Sequence, residues 1–157
     1  MRIDYRQVLP EAVAAMDSLQ RAVDRAGVDE GLLELIKIRA SQINGCAYCV
    51  DMHTKDARAL GEDEQRLHMV AVWKEASCFT ERERAALLWA ESLTLLADRS
   101  IPDDGYQAVS REFSHQEIAA MTFAIIAING WNRLAVGMRL PVGAYVSRRG
   151  VKVGDGA

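Results

Sequence analysis

The chain has 157 residues, of which 50% are hydrophobic and 26% charged. This balance is typical of one globular domain with its own core, and it excludes intrinsic disorder. The formal net charge is -3 and no run of Lys or Arg forms a basic stripe, so we expect no nucleic-acid partner. The N-terminal residues lack the apolar core of a signal peptide, and the apolar stretch 118–128 is too short to span a bilayer. The sequence therefore predicts a cytoplasmic protein with no membrane partner.

Helical spacing of apolar residues runs through the chain, and no stretch shows sustained strand-like alternation. We therefore expect an all-α fold, with a single helical domain over residues 1–147. Two capping boxes, Thr80 with Glu83 and Ser114 with Glu117, mark helix starts. In chain order the predicted helices are 11–26, 30–43, 46–60, 62–75, 80–96, 103–113 and 118–140.

Two of these segments carry predictions about packing. The helix at 30–43 is apolar almost all round, which indicates a central, buried element. The helix at 118–140 is so apolar that one chain does not suffice to cover it, so we expect a homo-oligomer. The tail at 148–157 has too little apolar content to pack alone, and it is either loose or packed on a neighbouring subunit.

Two thiols three residues apart, Cys46 and Cys49, are followed by His53 at the start of a predicted helix. In a helix, Cys49 and His53 are one turn apart, and His53 falls within about 20° of Cys46 around the axis. An imidazole beside two sulfurs can accept a thiol proton, and the N-terminus of a helix favours the thiolate that results. The motif therefore indicates redox chemistry at sulfur, through a disulfide that opens and closes.

The cysteine pair leaves other possibilities open. Zinc and iron–sulfur sites also use this spacing, but no second Cys or His pair follows that would complete a closed four-ligand site. A metal enzyme built on the Cys/His cluster with an open position, and a non-catalytic redox sensor or binding protein, remain alternatives. The third cysteine, Cys78, is interpreted as a packing residue, with a free surface thiol as the lesser possibility.

Spacing alone leaves the individual roles open. His53 lies four residues after Cys49, which favours Cys49 as the attacking thiol, whereas helix-end electrostatics favour Cys46. Glu34 is interpreted as a solvated carboxylate paired with Lys37 on the same helix. The alternative is that the turn before Cys46 folds the two helices together and brings Glu34 against His53 as a proton relay.

The whole stretch from Glu34 to His53 closely resembles the signature of the AhpD-like alkylhydroperoxidases in the carboxymuconolactone decarboxylase superfamily. It joins a glutamate twelve positions before the first cysteine to the CxxC pair and to a histidine four positions beyond the second cysteine. The resemblance implies an all-α, AhpD-like helical bundle that assembles as a homo-trimer or homo-hexamer.

The resemblance also implies an activity, the reduction of hydroperoxides without a bound cofactor or metal. In that activity Cys49 reacts with the peroxide, Cys46 resolves it, and Glu34 and His53 relay the proton. The thiol reductant that it suggests is a lipoyl-bearing protein or a peroxiredoxin. The family's lactone decarboxylases lack the cysteine pair, which argues against that reaction here. This chain departs from the best-known members in having Tyr48 where they have a second histidine, and a phenol cannot replace imidazole as a base at neutral pH.

Overall fold

A computed structural model describes residues 1–149, and within them the regular structure is entirely helical. The predicted all-α class is confirmed. The helices are α1 (Tyr5–Val8), α2 (Pro10–Asp24), α3 (Glu30–Ile43), α4 (Ala47–Ala59), α5 (Glu64–Met69), a 3-10 turn (Val70–Val72), α6 (Glu81–Thr94), α7 (Asp103–Glu112) and α8 (His115–Met138).

The helix starts follow local signals in the sequence. Both predicted capping boxes are present. The Thr80 and Ser114 side chains accept from the backbone N–H of Glu83 and Glu117, respectively, and each glutamate side chain accepts from the backbone N–H of its cap residue. Helix α3 has the predicted bounds. Helix α4 begins one residue later than predicted, because Cys46 is its N-cap rather than its first helical residue.

The predicted helix at 62–75 is too long. The chain forms α5 there, followed by the 3-10 turn, and regular helical structure ends at Val72. The guanidinium of Arg84, on α6, donates to the backbone carbonyls of Trp73, Lys74 and Ala76, just beyond that end. This contact holds the loop that follows, and it leaves no signature in the local sequence.

Helix α3 is the central element, as predicted, and packs between α4, α6 and α8. Its apolar side chains are buried on several faces and belong to two clusters of the core. One cluster joins Leu33 and Ile36 to α6 and α8, and the other joins Leu35 and Ile38 to Trp73 and Leu87. Because α3 is enclosed, any polar side chain that it carries inward must find its partners within the protein.

Helix α8 is long and apolar enough to cross a membrane by length and composition alone. However, half of its most apolar window is buried inside the fold, where it packs against α2, α3, α4 and α6. Core helices satisfy the same criterion. Three large apolar residues of α8 are about half exposed, namely Phe123, Ile126 and Val136.

Two further predictions concern segments away from the core. The interpretation of Cys78 as a packing residue is wrong, because the structure leaves it as a free, exposed cysteine in the loop between the 3-10 turn and α6. Of the predicted tail, residues 150–157 lie outside the described residues. Arg149 contacts Glu30 of its own chain, and the prediction for the tail as a whole stays a prediction.

Candidate active site

A tight corner between α3 and α4 places the cysteines. Gly45 has a φ of 63°, in the left-handed region that glycine adopts without a steric penalty. Asn44, the C-cap of α3, donates through Nδ2 to the side-chain oxygens of Asn129 (2.9 Å) and Asn132 (2.8 Å) on α8. The backbone N–H of Cys46 then donates to the Ser41 carbonyl at 2.9 Å. The corner is therefore anchored on both sides of the glycine.

Cys46 and Cys49 form a disulfide, with their Cα atoms 5.4 Å apart. Cys46 Sγ also accepts a hydrogen bond from the Cys49 N–H at 3.3 Å, which makes the sulfur the N-terminal cap of α4. Both residues are buried, in a small apolar cluster with Ala40, Ile128 and Ala135. The pair is thus in its oxidised form and shielded from bulk water.

Glu34 lies against His53, the arrangement in which α3 and α4 fold together. His53 Nδ1 and Glu34 Oε2 are 2.7 Å apart, and both residues are buried. The second carboxylate oxygen, Oε1, accepts from Lys37 Nζ at 2.9 Å. The ion pair with Lys37 that spacing suggested is therefore present, but the carboxylate is 1% exposed rather than solvated.

The contacts of Glu34 decide its charge. Burial alone would raise its pKa, but the hydrogen bond and charge of His53, and then those of Lys37, outweigh burial and lower the pKa to about 2. An ionised Glu34 accepts the Nδ1–H of His53 and so fixes the tautomer, which leaves Nε2 as the basic nitrogen. The pair can therefore take up a proton at Nε2 and stabilise the imidazolium that forms.

A cavity of about 220 Å³ opens onto this pair. Cys49, His53 and Glu34 all line it, whereas Cys46 is not among the described residues that do. Half of the other lining residues are aromatic or apolar, namely Tyr5, Tyr48, Met52, Trp131, Ala135 and Leu140. The other half are polar or charged, namely Arg6, Asp17, Gln20, Lys37, Asp56 and Arg149. Of the two cysteines, Cys49 is therefore the one that contributes to the wall of this cavity among the described residues.

Tyr48, the residue between the cysteines, is half-buried and packs with Trp131 and Leu140 against the disulfide cluster. Within residues 1–149 its hydroxyl forms no hydrogen bond. Of the two roles that a phenol can take at this position, a hydrogen bond or packing, the side chain takes the second among the described residues, as part of the cavity wall.

Sequence reasoning missed two groups at the site. Asp56, one turn after His53 on α4, is buried and lines the cavity. Its position at i+3 from His53 was a usable signal, since residues three apart share a helix face. Tyr145 and Arg149 reach the site from the segment after α8, which shows no pattern that would have pointed to them.

Glu34, His53 and Asp56 each offer a ligand atom within 4.8 Å of the others, a spacing at which three donors can hold a metal ion. Their oxygens already have partners. Glu34 accepts from Lys37 and His53, and Asp56 accepts from the Tyr145 and Ser147 hydroxyls. A cation here would have to displace the Lys37 ammonium, so the donor set fits a hydrogen-bonded relay better than a metal centre.

Comparison with known proteins places this geometry in a family. The model of the carboxymuconolactone decarboxylase family matches residues 10–92, a range that contains the whole relay and both cysteines. The chain belongs to this family. Among its relatives is the uncharacterized protein YdfG of Bacillus subtilis, which is 36% identical to this chain over 137 residues. The aligned residues cover 87% of this chain and 93% of YdfG.

Solved structures narrow the family to its AhpD-like branch. A protein of unknown function from Agrobacterium tumefaciens, described as a candidate AhpD antioxidant defence protein, superposes with a TM-score of 0.88 at 44% identity, covering 92% of this chain and 99% of that one. The debrominase Bmp8 gives a TM-score of 0.77 at 20% identity, covering 86% and 73%, and so shares the fold alone. The chain is an AhpD-like member of the carboxymuconolactone decarboxylase family.

The low pKa of Glu34 predicts a pH-dependent contribution to stability. Because its folded pKa of about 2 lies below the ordinary value of 4.5, the contribution is present above about pH 4.5 and is lost as the pH falls towards 2. We expect the unfolding free energy of the wild type, from urea titrations between pH 6 and 2, to fall more steeply than that of Glu34→Gln. The difference should be up to roughly 3 kcal/mol. Parallel curves for the two proteins would contradict the ionised, paired state of Glu34.

Proposed function

We propose that this protein is a thiol-dependent hydroperoxidase in which Cys49 attacks the peroxide and Cys46 resolves it. The observation that carries the proposal is the shared cavity. Cys49 lines it together with His53, whose other ring nitrogen is held by the buried Glu34, and Cys46 lies within disulfide distance behind Cys49. The proposed nucleophile and base therefore line one space that a small molecule can enter, and the proposed resolving thiol lies next to the nucleophile, outside the described lining of that space.

The first step consumes the peroxide. In the reduced protein, His53 Nε2 accepts the proton of the Cys49 thiol, and Glu34 stabilises the imidazolium. The thiolate attacks the terminal oxygen of the hydroperoxide, the O–O bond breaks, and Cys49 becomes a sulfenic acid. The proton held by His53 passes to the departing alkoxide, so the product is an alcohol.

The second step forms the disulfide seen in the structure. The Cys46 thiol attacks the Cys49 sulfenic acid, water leaves, and the two sulfurs join. An external dithiol then reduces the disulfide and is itself oxidised, which returns both thiols. A lipoyl-bearing protein or a peroxiredoxin is the reductant that we propose, and the chemistry on the protein side is carried by its own side chains.

Cys49→Ser should abolish catalytic peroxide reduction. The serine hydroxyl is not ionised at neutral pH, so we expect consumption of an alkyl hydroperoxide with a dithiol reductant to fall by more than about a thousandfold. The matched control is Cys78→Ser, which removes the exposed thiol and should leave the rate unchanged. A chain that serves only as a redox sensor would instead consume about one equivalent and stop. Retained turnover in Cys49→Ser would eliminate the proposed mechanism.

His53→Gln should impair thiolate formation without removing either sulfur. The amide cannot accept the thiol proton, so the rate of peroxide reduction should fall by about a hundredfold. In the reduced protein, the profile of Cys49 alkylation against pH should move to higher pH. His68→Gln is the control, because His68 is exposed on α5 and lies away from the cavity. If the alkylation profile of His53→Gln matches that of the wild type, His53 is not the base.

We further propose that the protein forms a homo-trimer or homo-hexamer through α8. Phe123 and Ile126 are 51% and 53% exposed on a helix that is otherwise part of the core, and apolar surface of this kind marks an interface. Sedimentation velocity should show a multiple of the 17.4 kDa chain. The double substitution Phe123→Asp and Ile126→Asp should reduce the mass, because it places charges in that interface. A wild-type protein that sediments as a monomer would rule the assembly out.

A further inference from the structure

The segment after α8 folds back over α4 beside the relay. We call residues 143–149 the terminal segment. Lys55 Nζ donates to the backbone carbonyls of Gly143 (3.2 Å) and Tyr145 (3.0 Å), and the Gly143 N–H donates to Asp51 Oδ2 at 3.3 Å. Side chains of α4 thus form hydrogen bonds with both the N–H and the C=O groups of a segment that has no regular secondary structure of its own.

The strongest anchor of the terminal segment is Asp56, which the proposed mechanism does not use. Its carboxylate accepts from the Tyr145 hydroxyl at 2.8 and 3.1 Å and from the Ser147 hydroxyl at 2.5 Å. Asp56 is 5% exposed. Because burial of a carboxylate costs free energy that such hydrogen bonds must offset, the segment and Asp56 stabilise each other in this position.

The anchored segment brings Arg149 to the wall of the cavity that contains Cys49. Nη1 of its guanidinium donates to Glu30 at 3.2 Å, and Nη2 lies 4.0 Å from Glu34 Oε1. The Glu30 side chain is 53% exposed, so this ion pair is weak and exchangeable. Within residues 1–149, Nε and Nη2 have no hydrogen-bond acceptor, and Nη2 is held near Glu34 only at ion-pair distance, so this edge of the guanidinium still has hydrogen-bond donors to offer a ligand.

The rest of the lining points to an acidic ligand. Arg6 also lines the cavity, with its guanidinium 5.7 Å from the Trp131 ring, and no carboxylate of residues 1–149 lies within ion-pair distance of it. Of the acidic residues that line the cavity, Glu34 and Asp56 already have donors, which leaves Asp17. The lining therefore holds the unpaired guanidinium of Arg6 and that of Arg149, whose hydrogen-bonded partner Glu30 is exposed, against Asp17 as the one lining carboxylate without a donor in residues 1–149. An aromatic wall that suits an apolar ligand body lies beside them.

We propose that Arg149 is a specificity-determining residue that binds a carboxylate of the molecule reacting at Cys49, and that Asp56 positions Arg149 by anchoring the terminal segment. The fork of a guanidinium matches a carboxylate in geometry and charge. This inference rests on the proposed function and adds the chemical class of the ligand. The carboxylate belongs either to the hydroperoxide or to the dithiol reductant, and the experiment separates the two sources.

The test compares each acid with its neutral counterpart. The hydroperoxide is offered as a medium-chain hydroperoxy acid or its methyl ester, and the reductant as dihydrolipoic acid or dihydrolipoamide. In Arg149→Gln we expect kcat/KM to fall about tenfold for the acid of one of these two pairs, because KM for that acid rises. For the neutral compound of the same pair, kcat/KM should change less than about twofold. The pair that responds identifies the source of the carboxylate.

Two variants control for charge and for folding. Arg148→Gln removes the same charge from the neighbouring, exposed residue and should change neither pair. Arg149→Lys keeps the charge and should restore part of the preference for the acid. If Arg149→Gln lowers the rates with acids and neutral counterparts equally, or changes none of them, the assignment of Arg149 is overturned.

The role of Asp56 is tested without touching the relay. The double variant Tyr145→Phe and Ser147→Ala removes both hydroxyls that bond Asp56 and leaves the Arg149 guanidinium in place. We expect the same selective loss for the acid as in Arg149→Gln, together with a lower melting temperature because the buried Asp56 loses its donors. A far-UV circular dichroism spectrum that matches the wild type at the assay temperature shows that the helices remain folded. An unaltered preference for the acid would overturn the positioning role of Asp56.

A binding measurement separates this inference from the peroxidase activity. In the reduced protein, octanoate should protect Cys49 from iodoacetamide, and this protection should disappear in Arg149→Gln, while any protection by octanol should not depend on Arg149. If octanoate protects Cys49 in the wild type but not in Arg149→Gln, and the wild type shows no peroxide turnover, the proposed function is refuted and the carboxylate site is supported. Full turnover without protection by octanoate, and without preference for either acid, would refute the site and leave the peroxidase.

Discussion

The structure depends on a buried carboxylate that must remain ionised. Glu34 lies on α3, the helix that the rest of the fold encloses, and it is 1% exposed. A lone carboxylate in such a place would take up a proton, but Lys37 and His53 each donate to one of its oxygens and keep the pKa near 2. Because His53 is on α4, this contact also joins the two helices and fixes the orientation of the imidazole towards the cavity.

The contact between Glu34 and His53 also requires a defined backbone geometry at the corner between α3 and α4. His53 meets Glu34 only if α4 starts at the correct residue and in the correct direction. Gly45 supplies the backbone turn, the Cys46 N–H pairs with the Ser41 carbonyl, and Asn44 is bonded to α8. The cysteines lie at the start of α4 as a consequence, so the same corner sets the positions of both cysteines and of His53.

The parts of the site that could be predicted are those encoded locally. The spacing of Cys46, Cys49 and His53 defines a common helix face, and the bounds of α3 follow from its apolar pattern and from the turn at Asn44. Spacing could not decide between a solvated and a buried Glu34, because that depends on what packs over α3. The interpretation of Cys78 failed for a related reason: exposure in a loop between helices depends on tertiary packing. The terminal segment was also out of reach, since hydroxyl groups that pair with a buried carboxylate carry no periodic signal.

The two buried carboxylates of the site are held by different kinds of donor. Glu34 accepts from Lys37 at 2.9 Å, and Arg149 Nη2 lies 4.0 Å from the same oxygen, so cations surround it. Asp56 instead accepts from the Tyr145 and Ser147 hydroxyls, which are neutral. In the proposed first step a thiolate at Cys49 and an imidazolium at His53 form together, and such a pair of opposite charges attracts more strongly in a buried site than in water. Because neutral hydroxyls bind Asp56, the guanidinium of Arg149 is not needed there and remains at the cavity wall, where the proposed ligand carboxylate binds.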